Sequence, residues 1–510
     1  MKIFTHKKTG TSKTLTTLAG STMFLLLFSL SGQSIINFAS ADSSNENSTS
    51  TNDQTGSTSS DKDQPWSNYQ AALRQANHDY WNAVGNATQI YGQTMQNAEQ
   101  VKQKADGDAR QTFRDAVNAS RQAYETAEDA ANGDKSAIAQ ATATRDSAVG
   151  NAKIALDTAT GQADVTEKNA EIQAEVTKMQ AIGFAQAAKD KASGDALVAY
   201  DNVKGSKNAA RDQTVETALI AQDNSIVSAR VDQENTNGGF EVSIMQAKTA
   251  AITSTDNANM NFDVAKDNAM GDKSKIVAAQ VTKDQSLGTI TQTQNSSIGS
   301  LNEKIDQENT NTEVAIDTAN GVFAQASDNA NGNTLAAARD QTIETAKVTR
   351  DNTNGQTQVS IDNANVQFDA ASSTAYTNAN IARDQANESQ TVIWNSYATR
   401  DQVVASAQAT RDTATWNARI SVDQENADTQ AAIDTAMGDY NVAKDNASNN
   451  SKSTTRDKAI EDATITADNA LGQDQVVKDK AYEQADVTKD NSDGSIRVTK
   501  DQAIATAWQS

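Results

Sequence analysis

The chain has 510 residues, with 44 Lys+Arg against 66 Asp+Glu, no cysteine, one proline and two histidines. Disulfide and thiol chemistry are excluded, and His6 and His78 are too few for a histidine metal site or histidine-based catalysis. A net charge of -22 repels DNA, RNA and anionic lipid.

Residues 1–41 read as a signal peptide. Lys2, Lys7, Lys8 and Lys13 precede the apolar run Met23 to Phe28, and Ala39-Ser40-Ala41 forms a small-x-small cleavage signal. Cleavage is expected after Ala41. The apolar run is too short to span a bilayer, which takes roughly 20 residues, so no membrane span is expected in the mature chain. Loss of the four leader lysines takes 44 bases to 40 against 66 acids, a charge of -26. Lys8-Thr9-Gly10 resembles part of the KxYKxGKxW leader of surface proteins of lactic-acid bacteria. That resemblance implies a Gram-positive secreted or cell-surface repeat protein.

Residues 42–64 are Ser, Thr, Asn and Asp with almost no apolar side chain, so nothing offsets the entropy of ordering them. They are expected to form a disordered tether, ended by Pro65.

Residues 65–130 predict helix most strongly. Tyr69, Tyr80, Tyr91, Phe113 and Tyr124 share one eleven-residue register. Leu73, Val84, Met95 and Val117 follow four of them at i+4, which lays a single apolar stripe along a helix.

Residues 131–510 repeat an eleven-residue unit, approximately [KR]-D-[QN]-A-[IVN]-x-x-A-x-[VI]-[TA], as at Arg400, Arg411, Arg456, Lys478, Lys489 and Lys500. Eleven residues make three turns of about 3.67, so each position keeps its face of an α-helix. With Lys/Arg numbered zero, positions 3, 4 and 7 form an apolar face, and Asp at position 1 is expected to face water. Gly at position 5 and Val or Ile at position 9 (Val348, Val359, Val487, Val498) lie on another side. They read either as a notch and knob for a second partner helix or as inward residues of a β-solenoid. Abundant Ala, Gln, Glu, Lys and Arg favour the helix. The period slips by 17 residues between Lys266 and Lys283 and between Arg383 and Arg400. It slips by 12 between Ser327 and Arg339 and between Lys444 and Arg456. Such slips break the helix or rotate its stripe. Asn237-Gly238, Asn331-Gly332 and Asn449-Asn450 are turn candidates where helices fold back, and GDKS recurs at 133–136 and 271–274. The expected fold is all-α: long extended helices with hendecad repeats, coiled-coil or bundle-like.

No cofactor, metal or catalytic site is expected. The best calcium-loop candidate, Lys489 to Lys500, has lysine at its first and last ligand positions. Glu128-Asp129 and Glu461-Asp462 are adjacent on a helix and point apart. His78 reads as a surface residue. Trp66, Trp81, Trp394, Trp416 and Trp508 read as plugs between helices rather than a carbohydrate platform.

The resulting expectation is a secreted, non-enzymatic structural or adhesive protein, extracellular or held non-covalently at the cell surface. Its expected partners are itself or a cell-envelope or host surface. Residues 188–213, AKDKASGDALVAYDNVKGSKNAARDQ, resemble the eleven-residue repeats of late-embryogenesis-abundant proteins. That resemblance implies an alternative, a hydration protectant disordered in solution. A passive glycosylated spacer, suggested by the Ser/Thr tether, is a third.

Overall fold

The computed structural model describes residues 64–509 apart from 206–207, 387–388 and 449. The leader, its cleavage site at Ala41 and the tether before residue 64 lie outside the described residues. Seven helices follow: α1 (Gln64–Ala131), α2 (Lys135–Lys204), α3 (Ala209–Asn268), α4 (Lys273–Ala330), α5 (Thr334–Gln385), α6 (Gln390–Ala447) and α7 (Ser451–Ala507). No strand occurs among the described residues, which removes the solenoid of inward-alternating residues. Among the described residues, each helix packs only on the helices before and after it in sequence.

The period slips mark the turns. Both 17-residue slips span the breaks α3/α4 and α5/α6, and both 12-residue slips span α4/α5 and α6/α7. GDKS is a stop and a start in four residues. Gly133 at φ +86° and Gly271 at φ +85° take the left-handed conformation that glycine adopts without a Cβ clash. The next residue then caps the new helix: Asp134 accepts from Ser136 N at 2.8 Å, and Asp272 from Ser274 N at 3.0 Å. Asp134→Ala is expected to cost about 1 kcal/mol, read as earlier amide exchange in the first turn of α2. Gly332 and Asn450 lie at turns as expected, but Asn237-Gly238 does not. Gly238 is buried mid-helix in α3, beneath Ile172 of α2.

Two kinds of seam alternate along the chain. The first closes three antiparallel hairpins, α2·α3, α4·α5 and α6·α7, at positions 1, 5 and 9 of the repeat. Gly150, Gly161, Gly183 and Gly194 meet Met260, Thr249, Val227 and Glu216, so eleven residues up α2 match eleven down α3. Position 5 therefore faces position 5, and at each such level one partner is glycine while the other fills the notch. The glycine changes sides where Gly238 faces Ile172 and where Gly355 faces Thr310. One level breaks the pattern: Trp416 faces Glu483, and its ring swings out to stack on Tyr482 at 5.9 Å and donate to Asp486 at 3.0 Å. Glycine inside a helix costs about 0.5–1 kcal/mol against alanine. Here close approach of the helices offsets that cost.

The second seam joins one hairpin to the next at positions 0, 3, 4 and 7. Ala251, Ala258, Thr312 and Ala319 are buried in α3·α4, and Ala364, Ala375, Ala418 and Thr429 in α5·α6. Basic residues at position 0 lie over aromatic rings of the neighbour, Lys283 over Phe262 at 4.6 Å and Arg411 over Phe368 at 4.6 Å. Gln222 and Gln233 donate to Asn320 and Asn309 at 2.7 and 2.8 Å.

α1 has one neighbour and one stripe. Tyr69, Leu73, Tyr80, Val84, Tyr91, Met95, Phe113 and Val117 are all half-buried, with Ala76, Ala87 and Ala98 fully buried between them. Lys178, Lys189 and Arg145 of α2 cover the rings of Tyr91, Tyr80 and Tyr124 at 4.4, 4.9 and 4.9 Å. Tyr91→Ala removes both the buried ring and its cation. It is expected to cost about 1–2 kcal/mol, read as faster hydrogen exchange confined to α1 and its contact face on α2.

Candidate functional site

The hairpin seams carry the unusual chemistry. Contrary to the expectation that it faces water, the position-1 aspartate points into the seam. Asp212, Asp351, Asp479, Asp490 and Asp501 are between 5% and 9% exposed. The antiparallel register sets each against a position-1 aspartate of the partner helix. Side-chain hydrogen bonds join Asp146 to Asp267, Asp190 to Asp223, Asp306 to Asp362, Asp317 to Asp351, Asp423 to Asp479 and Asp412 to Asp490.

Two ionised carboxylates only accept, so such a bond requires a proton on one of them. Buried Oδ2 atoms of Asp223, Asp267, Asp284, Asp434, Asp468 and Asp490 receive no N–H from the described residues. Burial, then the hydrogen bond to Asp190, pushes Asp223 up to about 7. The same causes raise Asp306, Asp423 and Asp490 to about 6. In the Asp157/Asp256 pair, burial and then its partner raise Asp157. Asp256, despite its burial, is held low by hydrogen bonds from Asp157 and Lys153.

A base at position 0 favours the charged form of the aspartate beside it. Arg350 and Arg411 bond the adjacent Asp351 and Asp412 at 2.7 Å. The facing carboxyls, Asp317 and Asp490, are each raised chiefly by burial. At Asp306/Asp362 both position-0 residues are isoleucine, Ile305 and Ile361, so no such base is present.

A glutamate, buried at Glu461 and half-buried at Glu216 and Glu344, closes the turn end of each hairpin. Glu216, Glu344 and Glu461 fill the notches of Gly194, Gly321 and Gly438. Lys458 holds Glu461 at 2.7 Å, and Gln325 holds Glu344 at 2.8 Å. Burial raises Glu216 and Glu344.

Other sequence candidates lie elsewhere. His78 is exposed and meets Asn82 at 3.1 Å. Trp394 and Trp416 are half-buried; Trp66, 51% exposed, lies edge-on to Tyr200 of α2 at 5.6 Å, whereas Trp81 and Trp508 are 66% and 63% exposed. The Lys489 to Lys500 stretch is helix, with Gly494 buried against Ala405. Among the described residues no group of three or more acidic or histidine side chains is placed to hold a metal ion, and no helix is long and apolar enough to cross a membrane. The carboxyl pairs escape a linear reading because their partners are tens of residues apart. The signal that finds them is the recurrence of Asp at position 1 on both arms of a hairpin with an eleven-residue period.

Set against family models, curated proteins and solved structures, the chain matches none.

Proposed function

We propose that the protein is an exported, non-enzymatic structural protein of the cell surface that works through helix-to-helix association. One observation carries this reading: three hairpins are built on the same seam and joined by a second seam drawn from the same eleven-residue unit. Every contact surface in this architecture is a helix face, and extension by further helices needs no new kind of contact. The leader at 1–41 and the tether at 42–64 fit export and presentation away from the envelope. Interlocked glycine notches favour a folded array over a protectant that gains helix only on drying.

The test is twofold. Antibody labelling of intact cells should detect the chain, and sedimentation of residues 42–510 over a roughly hundredfold concentration range should show reversible association with helical circular dichroism throughout. An intracellular chain, or coil-like circular dichroism in dilute buffer, overturns the reading.

A further inference from the structure

The two ends of the helix series are finished differently. Away from α2, α1 presents Arg74, His78, Asn82, Asn86, Gln93 and Asn97, a polar face that suits a terminal helix of a repeat array. α7 has no such finish. Its positions 3, 4 and 7, which α3 to α6 bury in the second seam, have no further helix against them among the described residues, and of these side chains Tyr482 alone stacks on a ring of α6, Trp416. Ala470, Ala481 and Ala485 are exposed, and Ile460, Leu471 and Ile496 are 57%, 68% and 63% exposed.

We propose that a second copy of this chain covers that face, α7 against α7, antiparallel about a two-fold axis. This deepens the self-association reading above and rests on it. The occupant follows from the seam itself, because α3·α4 and α5·α6 pair these same positions on both helices and the seam is self-complementary. The outer face of α1 lacks those positions, which disfavours head-to-tail growth and favours a closed pair.

Charge complementarity fits the register. In α5·α6, position 0 of one helix lies over position 7 of the other, as Arg339 over Tyr440 at 4.9 Å and Arg411 over Phe368 at 4.6 Å. Carried to α7, that register sets Lys478 over Ala485 of the second copy and Lys489 over Asp474 of the second copy, twice by symmetry. Asp474 is the one acid at a position 3 or 7 of α7, and in this register Lys489 meets it.

Residues 42–510, which contain the whole helical unit, are to be weighed by sedimentation equilibrium. The wild type is expected at twice the mass of one chain. Ala485→Glu, Lys489→Asp and Asp474→Lys are each expected to weaken the pair at least about tenfold. All three residues are exposed, so the helical circular dichroism of the monomers should be unchanged. Lys489→Asp mixed with Asp474→Lys is expected to restore a mixed pair that neither variant forms alone. Association that ignores all three substitutions overturns this interface while leaving self-association standing. A wild type that stays monomeric at every concentration overturns both.

Discussion

Thermal unfolding of residues 42–510 is expected to have its highest midpoint near about pH 5 and to fall by ~5 °C or more toward pH 8. The sign follows from the seam carboxyls. Asp223 is raised to about 7, and Asp306, Asp423 and Asp490 to about 6. In an unfolded chain an aspartate titrates near about 3.9. Between those values the folded state holds protons that the unfolded state has released, so stability falls as pH rises through the window. The contribution is complete below about pH 4, where the Arg–Asp and Lys–Glu bonds begin to lose their charge and set the acid limit.

Overall acidity pushes in the same direction, since the net charge of -26 on residues 42–510 (40 bases against 66 acids) makes proton uptake favourable everywhere. Substitution separates the two causes. Asp223→Asn, Asp306→Asn, Asp423→Asn and Asp490→Asn together replace the shared proton with an amide N–H donor. They should raise the midpoint at pH 8, leave it nearly unchanged at pH 5, and so flatten the profile. Neutralising exposed Asp79, Asp108, Asp115 and Asp129 of α1 removes the same charge and should leave the slope in place. Equal flattening by both sets would assign the effect to bulk charge.

Gly299→Val is expected to open the α4·α5 hairpin at a cost of about 2–4 kcal/mol, because a Cβ at residue 299 overlaps the Val366 side chain. The partner change Val366→Gly should recover most of that loss. The notch occupies α4 at Gly299 and Gly321 and α5 at Gly355, so either helix can carry it. Urea unfolding of the two single variants and the double variant forms a cycle. A coupling of about 1–3 kcal/mol is expected, and a double variant no more stable than Gly299→Val would mean that the glycine acts through helix propensity alone.

Much of this architecture is legible in the residue order. The stripe from Tyr69 to Val117 and the slips at 266–283, 327–339, 383–400 and 444–456 already mark α1 and four of the six turns. Gly and Val at positions 5 and 9 already suggest a second helix partner. What a single-helix reading hides is the pairing. Asp at position 1 looks like a solvent residue on one isolated helix, and only the antiparallel partner reveals that its neighbour is another aspartate. Asn237-Gly238 fails for the same reason. Its turn chemistry is good locally, but the notch needed under Ile172 outweighs it. Trp81 misleads in the other direction, since a large apolar ring at a stripe edge is under no obligation to be covered.

Contact only between successive helices has a consequence for lineage as well as for folding. No residue of α2 needs anything from α6, so a hairpin can close as soon as its own two arms exist, with short loops to form and little topological delay. Excising α4 and α5 would bring α3 against α6, two helices that already use the same face. The length of such a chain is therefore adjustable in whole hairpins, by duplication or loss, without a core having to be redesigned.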